Sequence, residues 1–188
     1  MWVSDMSNDN KISFNINYNN IIAAILYVIN KMNGKVNKYN LMKIIFAADK
    51  YHLNKYGRPV TGDYYISMEY GTVPSNIKNM IDGNNRDYYL NILQIDDYPF
   101  KVSNEKRNYF IESNIKPNID YLSESDTEAL DNGISEYAYL SFEEVMEKNH
   151  NEKCWQETEL NTRIPFEKII DNKEIVEYLR TYSKSIVL

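Results

Sequence analysis

The chain has 188 residues, 43% apolar and 26% charged, with a net charge of −6. That length fits one domain, or one domain with appendages, and buries enough of its own surface to hold a core without staples. A single cysteine, Cys154, excludes an internal disulfide, and the longest apolar run, Ile21 to Ile29, is too short to span a bilayer.

The opening MWVSDMSNDNKISF lacks the basic and apolar regions of a secretory signal, so a cytoplasmic protein without a membrane segment is expected. Residues 1–13 read as a polar, Asn-rich lead-in to a domain over 14–184, with Phe14 and Ile16 the first side chains to pack. A helix is predicted over 19–32, with Ile22, Ile25, Leu26 and Ile29 as its stripe, widened by Ile21 and Val28 and ended by Asn33-Gly34. A second helix is predicted over 38–56, capped by Asn37 or Asn40, with Leu41, Ile44, Ile45, Ala48, Tyr51 and His52 on a common side. Gly57 stops it and Pro59 forbids continuation.

Thr61-Gly62-Asp63 reads as a turn, followed by a half-buried strand over 64–70. Tyr64, Ile66, Met68 and Tyr70 share one face of it, and Tyr65, Ser67 and Glu69 the other. Gly71 breaks the strand, and Pro74-Ser75 opens a short helix ending at Gly83. The middle third is β-flavoured: a strand over 88–95, then a hairpin of 99–103 and 106–112 joined across Asn104-Glu105. Helices return in the last third, with capping boxes at Ser125/Glu128 and Ser141/Glu144, a Leu140/Val145 staple, and a final helix over 172–182. The fold class expected is α+β, mainly α-helical: a single domain with a small antiparallel β element inserted between helices.

Charge is unevenly spread. Residues 31–58 carry seven basic side chains against Asp49 alone, a net +6, while residues 120–159 carry twelve acidic ones against Lys148 and Lys153, a net −10. Such polarity can steer a charged partner, or it can be two faces of one fold with no meaning of their own. The 17 tyrosines suit half-buried faces and interfaces, although the joint abundance of Asn, Ile, Lys and Tyr points to compositional bias for most of them.

Catalytic constellations are not found. Two histidines and one cysteine lack metal-ligand spacing; Asp49 and His52 at i,i+3 could offer two ligands but have no company. No nucleophile elbow or phosphate-binding glycine loop occurs, and Glu152, Glu157 and Glu159 would raise the pKa of Cys154. No metal or cofactor is expected. What remains is a set around the helix-two stop and the next strand: Lys43, Asp49, Lys50, His52, Arg58, Asp63, Tyr65, Glu69 and Tyr70. These residues are candidates for partner binding or for framing the loop: a polar binding surface on a rigid corner is one reading, and the favoured one is that Asp49, Arg58 and Asp63 hold the loop by charge-assisted hydrogen bonds.

The order Leu41-Met42-Lys43-Ile44-Ile45-Phe46-Ala47-Ala48-Asp49, then Gly57-Arg58-Pro59-Val60-Thr61-Gly62-Asp63, then Gly71-Thr72-Val73-Pro74, resembles the Panacea domain family of SocA-like antitoxins and GepA-like phage-associated proteins. Ala24-Ile25-Leu26-Tyr27 resembles that family's first helix. Leu122-Ser123-Glu124 through Leu140-Ser141, with His150 and Trp155, resemble its later helices. Thr72 stands where the family has proline, and the middle third matches poorly. The resemblance implies an antitoxin that binds a cognate toxin protein directly, with some members delivering toxins to a protease, in prophage or mobile-element settings. It implies no enzyme. A DNA-binding or transcriptional role, with the basic stretch on phosphate, is the alternative, and nucleic acid is the less expected partner.

Overall fold

The computed structural model describes residues 11–183 except Arg107. Helix α2 (Lys38–Tyr56) is the axis of the fold, capped by the Asn37 side chain on the Tyr39 amide and stopped by left-handed Gly57. Its residues 40–49 are all buried. The one-sided stripe expected from the sequence is therefore incomplete, because a second core forms against the other side of the helix. The larger core gathers α1 (Tyr18–Lys31), α3 (Ser75–Asp82) and α5 (Glu124–Tyr137) around Ile44, Ile45 and Ala48. The smaller one packs Phe46 and Leu53 against Tyr65, Cys154, Ile164 and Phe166.

Helix α5 lies close against α2 through Gly133, where an added Cβ would fall 2.3 Å from the Ile44 carbonyl oxygen. The crossing requires the absence of a side chain at that position. It also sets the basic stretch against the acidic one. Lys55 pairs with Glu128 at 2.5 Å, Arg58 with Asp126 at 2.9 Å, Lys31 with Asp131 at 2.9 Å, and Lys50 with Glu152 at 2.7 Å. Four of the seven basic residues thus find partners in the acidic block, using four of its twelve carboxylates.

Two three-stranded antiparallel sheets flank this frame. One runs in the order β1 (Lys35–Asn37), β5 (Asn108–Glu112), β4 (Lys101–Glu105); the other in the order β3 (Gly71–Pro74), β2 (Tyr65–Met68), β6 (Arg163–Ile164). In β2 it is Tyr65 and Ser67 that face inward. The remaining helices are α4 (Arg86–Leu93), α6 (Phe142–His150), α7 (Lys153–Gln156), α8 (Phe166–Ile169) and α9 (Lys173–Ser183).

Four expectations change. Residues 88–95 lie mostly in α4, not a strand: Tyr89, Leu90 and Leu93 face the core at helical spacing, and the Tyr89 hydroxyl donates to Asn76 at 2.9 Å. The hairpin exists, but Asn104 and Glu105 lie within its ladder, opposite Tyr109 and Asn108, so the connection comes after them and not across them. The α5 capping box is Ser123 with Asp126, because the helix starts at Glu124 and Ser125 lies within its first turn, where its hydroxyl meets His52. Packing begins before Phe14, at buried Ile12, whose amide donates to Glu167 at 2.7 Å; the lead-in up to residue 10 lies outside the described residues. The box at Ser141/Glu144 is present.

Candidate functional site

Asp49 is fully buried near the end of α2. The amides of Val60 and Thr61 donate to its Oδ1 at 2.8 and 3.0 Å, and the hydroxyls of Thr61 and Tyr65 donate to its Oδ2 at 2.6 and 2.8 Å. The loop after Gly57 is thus strapped back onto its own helix. Burial raises the Asp49 carboxyl to about 6, with the Thr61 and Tyr65 donors opposing the rise.

Asp63 repeats the arrangement one element later. It accepts from the Asn76 amide, the Asn76 side chain at 2.7 Å and the Ile77 amide at 3.0 Å. Helix α3 begins at Pro74 without a side-chain cap of its own, so a carboxylate from the preceding turn satisfies its first amides.

His52 points elsewhere. Its Nδ1 donates to the Arg58 carbonyl at 2.7 Å, which leaves Nε2 to accept from the Ser125 hydroxyl at 3.0 Å. Burial lowers its pKa and favours this neutral form. Asp49 and His52, weighed in the sequence as two ligands from one helix face, are committed to different neighbours. Arg58 reaches past the loop to Asp126 and to the Ser123 hydroxyl at 3.2 Å, so it ties the loop to the start of α5.

Lys43 is buried on α2, and among the described residues it has no ion pair. Its Nζ donates to the Thr72 carbonyl at 2.5 Å and lies 5.0 Å from the centre of the Tyr39 ring. Burial pulls its pKa down to about 7. Asn149 Oδ1 accepts from the Thr72 amide at 2.6 Å and from its hydroxyl at 3.2 Å. Threonine supplies both of these donors, where a proline would have no N–H to give.

Glu69 and Tyr70 are exposed at the β2–β3 turn, and Lys50 is half-buried on α2. Lys50 is bound to Glu152 and, at 3.3 Å, to Asp171. The Glu69 carbonyl meets His150 Nε2 at 2.9 Å, and Trp155, stacked on His150, donates to the Met68 carbonyl at 2.9 Å. The Tyr70 carbonyl accepts from the Tyr39 hydroxyl at 2.6 Å, while the Tyr70 ring is exposed. Of the nine candidates, Asp49, Asp63 and Tyr65 form one buried body, and Lys43, Lys50, His52 and Arg58 tie α2 and its loop to neighbouring elements. Glu69, Tyr70 and the paired Arg58 are the exposed members. Sequence reasoning missed Ser123, Asp126 and Asn149. The first two carried a readable signal, since Ser-x-x-Asp is itself a capping pattern; Asn149 carried none.

Cys154 is buried, and its thiol is pushed up to about 12. Burial is the leading cause, ahead of Glu152, so the acidic setting is the lesser reason. Among the described residues no group of three or more His, Cys, Asp or Glu could hold a metal ion, and no helix is long and apolar enough to cross a membrane.

No curated protein and no solved structure matches the chain. The family described as "Antitoxin SocA-like, Panacea domain" matches residues 41–156, from Leu41 in the first turn of α2 to Gln156 at the end of α7. That span is 116 of 188 residues and contains Asp49, Asp63, Lys43 and the β2–β3 turn, so the chain belongs to the SocA-like antitoxin, Panacea domain family.

Proposed function

We propose that the chain neutralises a cognate toxin protein by binding it directly and covering its active surface, without catalysis of its own. Family membership over residues 41–156 is the observation that carries this reading. The chemistry of the corner supports it. Asp49, Asp63 and His52 are spent on hydrogen bonds to backbone and neighbouring side chains, which makes the corner a frame for a binding surface rather than that surface. The protein acts in the cytoplasm in this reading, and delivery of the toxin to a protease is a further route within it.

The DNA-binding alternative asks for free cations along residues 31–58. Lys31, Lys35, Lys38, Lys50, Lys55 and Arg58 are each ion-paired within the chain, and Lys43 is buried. Releasing them to phosphate would leave their carboxylates unpaired, which weighs against that role.

Co-expression with the toxin gene encoded beside this one tests the proposal. Host growth should be restored and the two proteins should purify together. Toxin that is inactive but undiminished indicates occlusion, and toxin that disappears in a protease-dependent way indicates delivery. The absence of both rescue and complex would overturn the antitoxin reading.

A further inference from the structure

At the N-terminal end of α2, away from the buried corner, lies a groove of about 870 Å³. The start of α2 and β1 form one wall, β5 another, and the connection between α5 and α6 the third. Six of its seventeen lining residues are aromatic, against 13% of the chain, so the surface is enriched well beyond the compositional bias. Tyr139 is 83% exposed, and Tyr70, Tyr109 and Phe142 are also open to solvent. Part of this wall is already ordered: Phe142 lies 4.7 Å from Tyr39 and 5.4 Å from Tyr70, ring centre to ring centre. Rings held in place lose little entropy when a partner covers them, which is what a binding anchor needs.

The charge of the lining is one-sided. Among the described residues, Lys35 and Lys38 are its only charged ones, in a chain with 27 carboxylates and a net charge of −6. The carboxylates that pair with them, Glu105, Glu112 and Asp82, lie outside the lining. The first turn of the 19-residue α2, with its Asn37 cap, opens on the same space and adds the positive end of a helix dipole.

We infer that this groove is where the toxin docks, and that the docking segment is an acidic stretch of polypeptide with apolar side chains beside its carboxylates. The inference rests on the antitoxin reading above. Two lysines that keep their own partners favour a carboxylate over a cation, yet are too few to track a phosphate backbone, where affinity grows with each cation released to a phosphate. Aromatic faces with strong free charge would suit single-stranded nucleic acid; aromatic faces with this modest charge suit a protein segment better.

The test uses the full chain and the co-expressed toxin, with growth rescue and complex affinity as readouts. Tyr139→Ala combined with Phe142→Ala should weaken the complex at least tenfold and abolish rescue, while Tyr121→Ala, exposed but outside the groove, should not. Tyr139→Ala alone should weaken binding with an unchanged melting midpoint, which separates docking from folding. Tyr139→Glu should weaken binding more than Tyr139→Ala, and Tyr139→Lys less. If the unaltered chain neither binds nor rescues, the antitoxin reading fails and this inference with it. If the unaltered chain rescues and the groove variants rescue equally well, the groove is wrong and the antitoxin reading stands. Equal effects of Tyr139→Glu and Tyr139→Lys would overturn the acidic character of the segment. Retention of a single-stranded oligonucleotide that is lost in Tyr139→Ala would replace the protein segment with nucleic acid.

Discussion

The two ends of α2 place the same kinds of side chain in opposite situations. At the C-terminal end, Asp49 and His52 are enclosed, and their polar atoms meet hydrogen-bond partners from the loop after Gly57 and from α5. At the N-terminal end, Tyr39 is half-buried against Phe142, and the rings of Tyr70, Phe142 and Tyr139 remain open to solvent. One end is finished by the chain itself. The other offers apolar area that nothing within the described residues covers, beside two lysines whose own carboxylate partners lie outside the groove. The end richest in titratable residues is therefore the structural one, and the end poorest in them is where a partner gains most by burial.

Substitution along the helix should separate these roles, beginning at the buried end. Asp49→Ala removes the acceptor for four donors, and leaving them unsatisfied in the interior should lower unfolding free energy by about 4 kcal/mol. Asp49→Asn should cost about half of that, because the Thr61 and Tyr65 hydroxyls can turn and accept from the amide. Urea unfolding measures both, and an unchanged midpoint for Asp49→Ala would show that the strap does not hold the loop. At mid-helix, Gly133→Ala drives a methyl toward the Ile44 carbonyl oxygen and should cost about 2–3 kcal/mol, despite the better helix propensity of alanine.

Lys43 sharpens the comparison through pH. Its folded pKa of about 7 lies below the ordinary 10.5. Between those values the unfolded chain holds a proton that the folded chain does not, so stability rises with pH over that interval, is lost as pH falls from 10.5 towards 7, and changes no further below 7. From pH 7 to pH 9 the unaltered protein should gain about 2 kcal/mol relative to Lys43→Met. Parallel pH profiles for the two proteins would mean that the amine is solvated in the folded state. Smallest of all, Tyr139→Ala should leave the urea midpoint within about 0.5 kcal/mol of the original while weakening toxin binding. A large loss of stability there would make the groove part of the core and erase the contrast.

Local chemistry was enough to read α2 and its two ends. An asparagine cap, a glycine stop and a proline beyond it act within a few residues of one another, so they appear in the sequence as a pattern. The same holds for α1, for α3 ending at Gly83, and for the Ser141/Glu144 box. The order of Leu41 to Asp49, Gly57 to Asp63 and Gly71 to Pro74 was specific enough to point to the family. Long-range partners were not readable. The three residues of β1 become a strand only beside β5, some seventy positions away, and the two of β6 only beside β2. The apolar residues of 88–95 fit both periods, and contact with Asn76 and Tyr18 decided for a helix. The +6 and −10 blocks looked like two surfaces until the close approach at Gly133 brought α5 against α2 and turned part of both into internal pairs. By itself, then, the sequence determined the corner and the family it belongs to, because those signals are short-range. Only the tertiary structure decided that the corner is closed and the far end of the same helix open, because exposure depends on what the rest of the chain brings to each end.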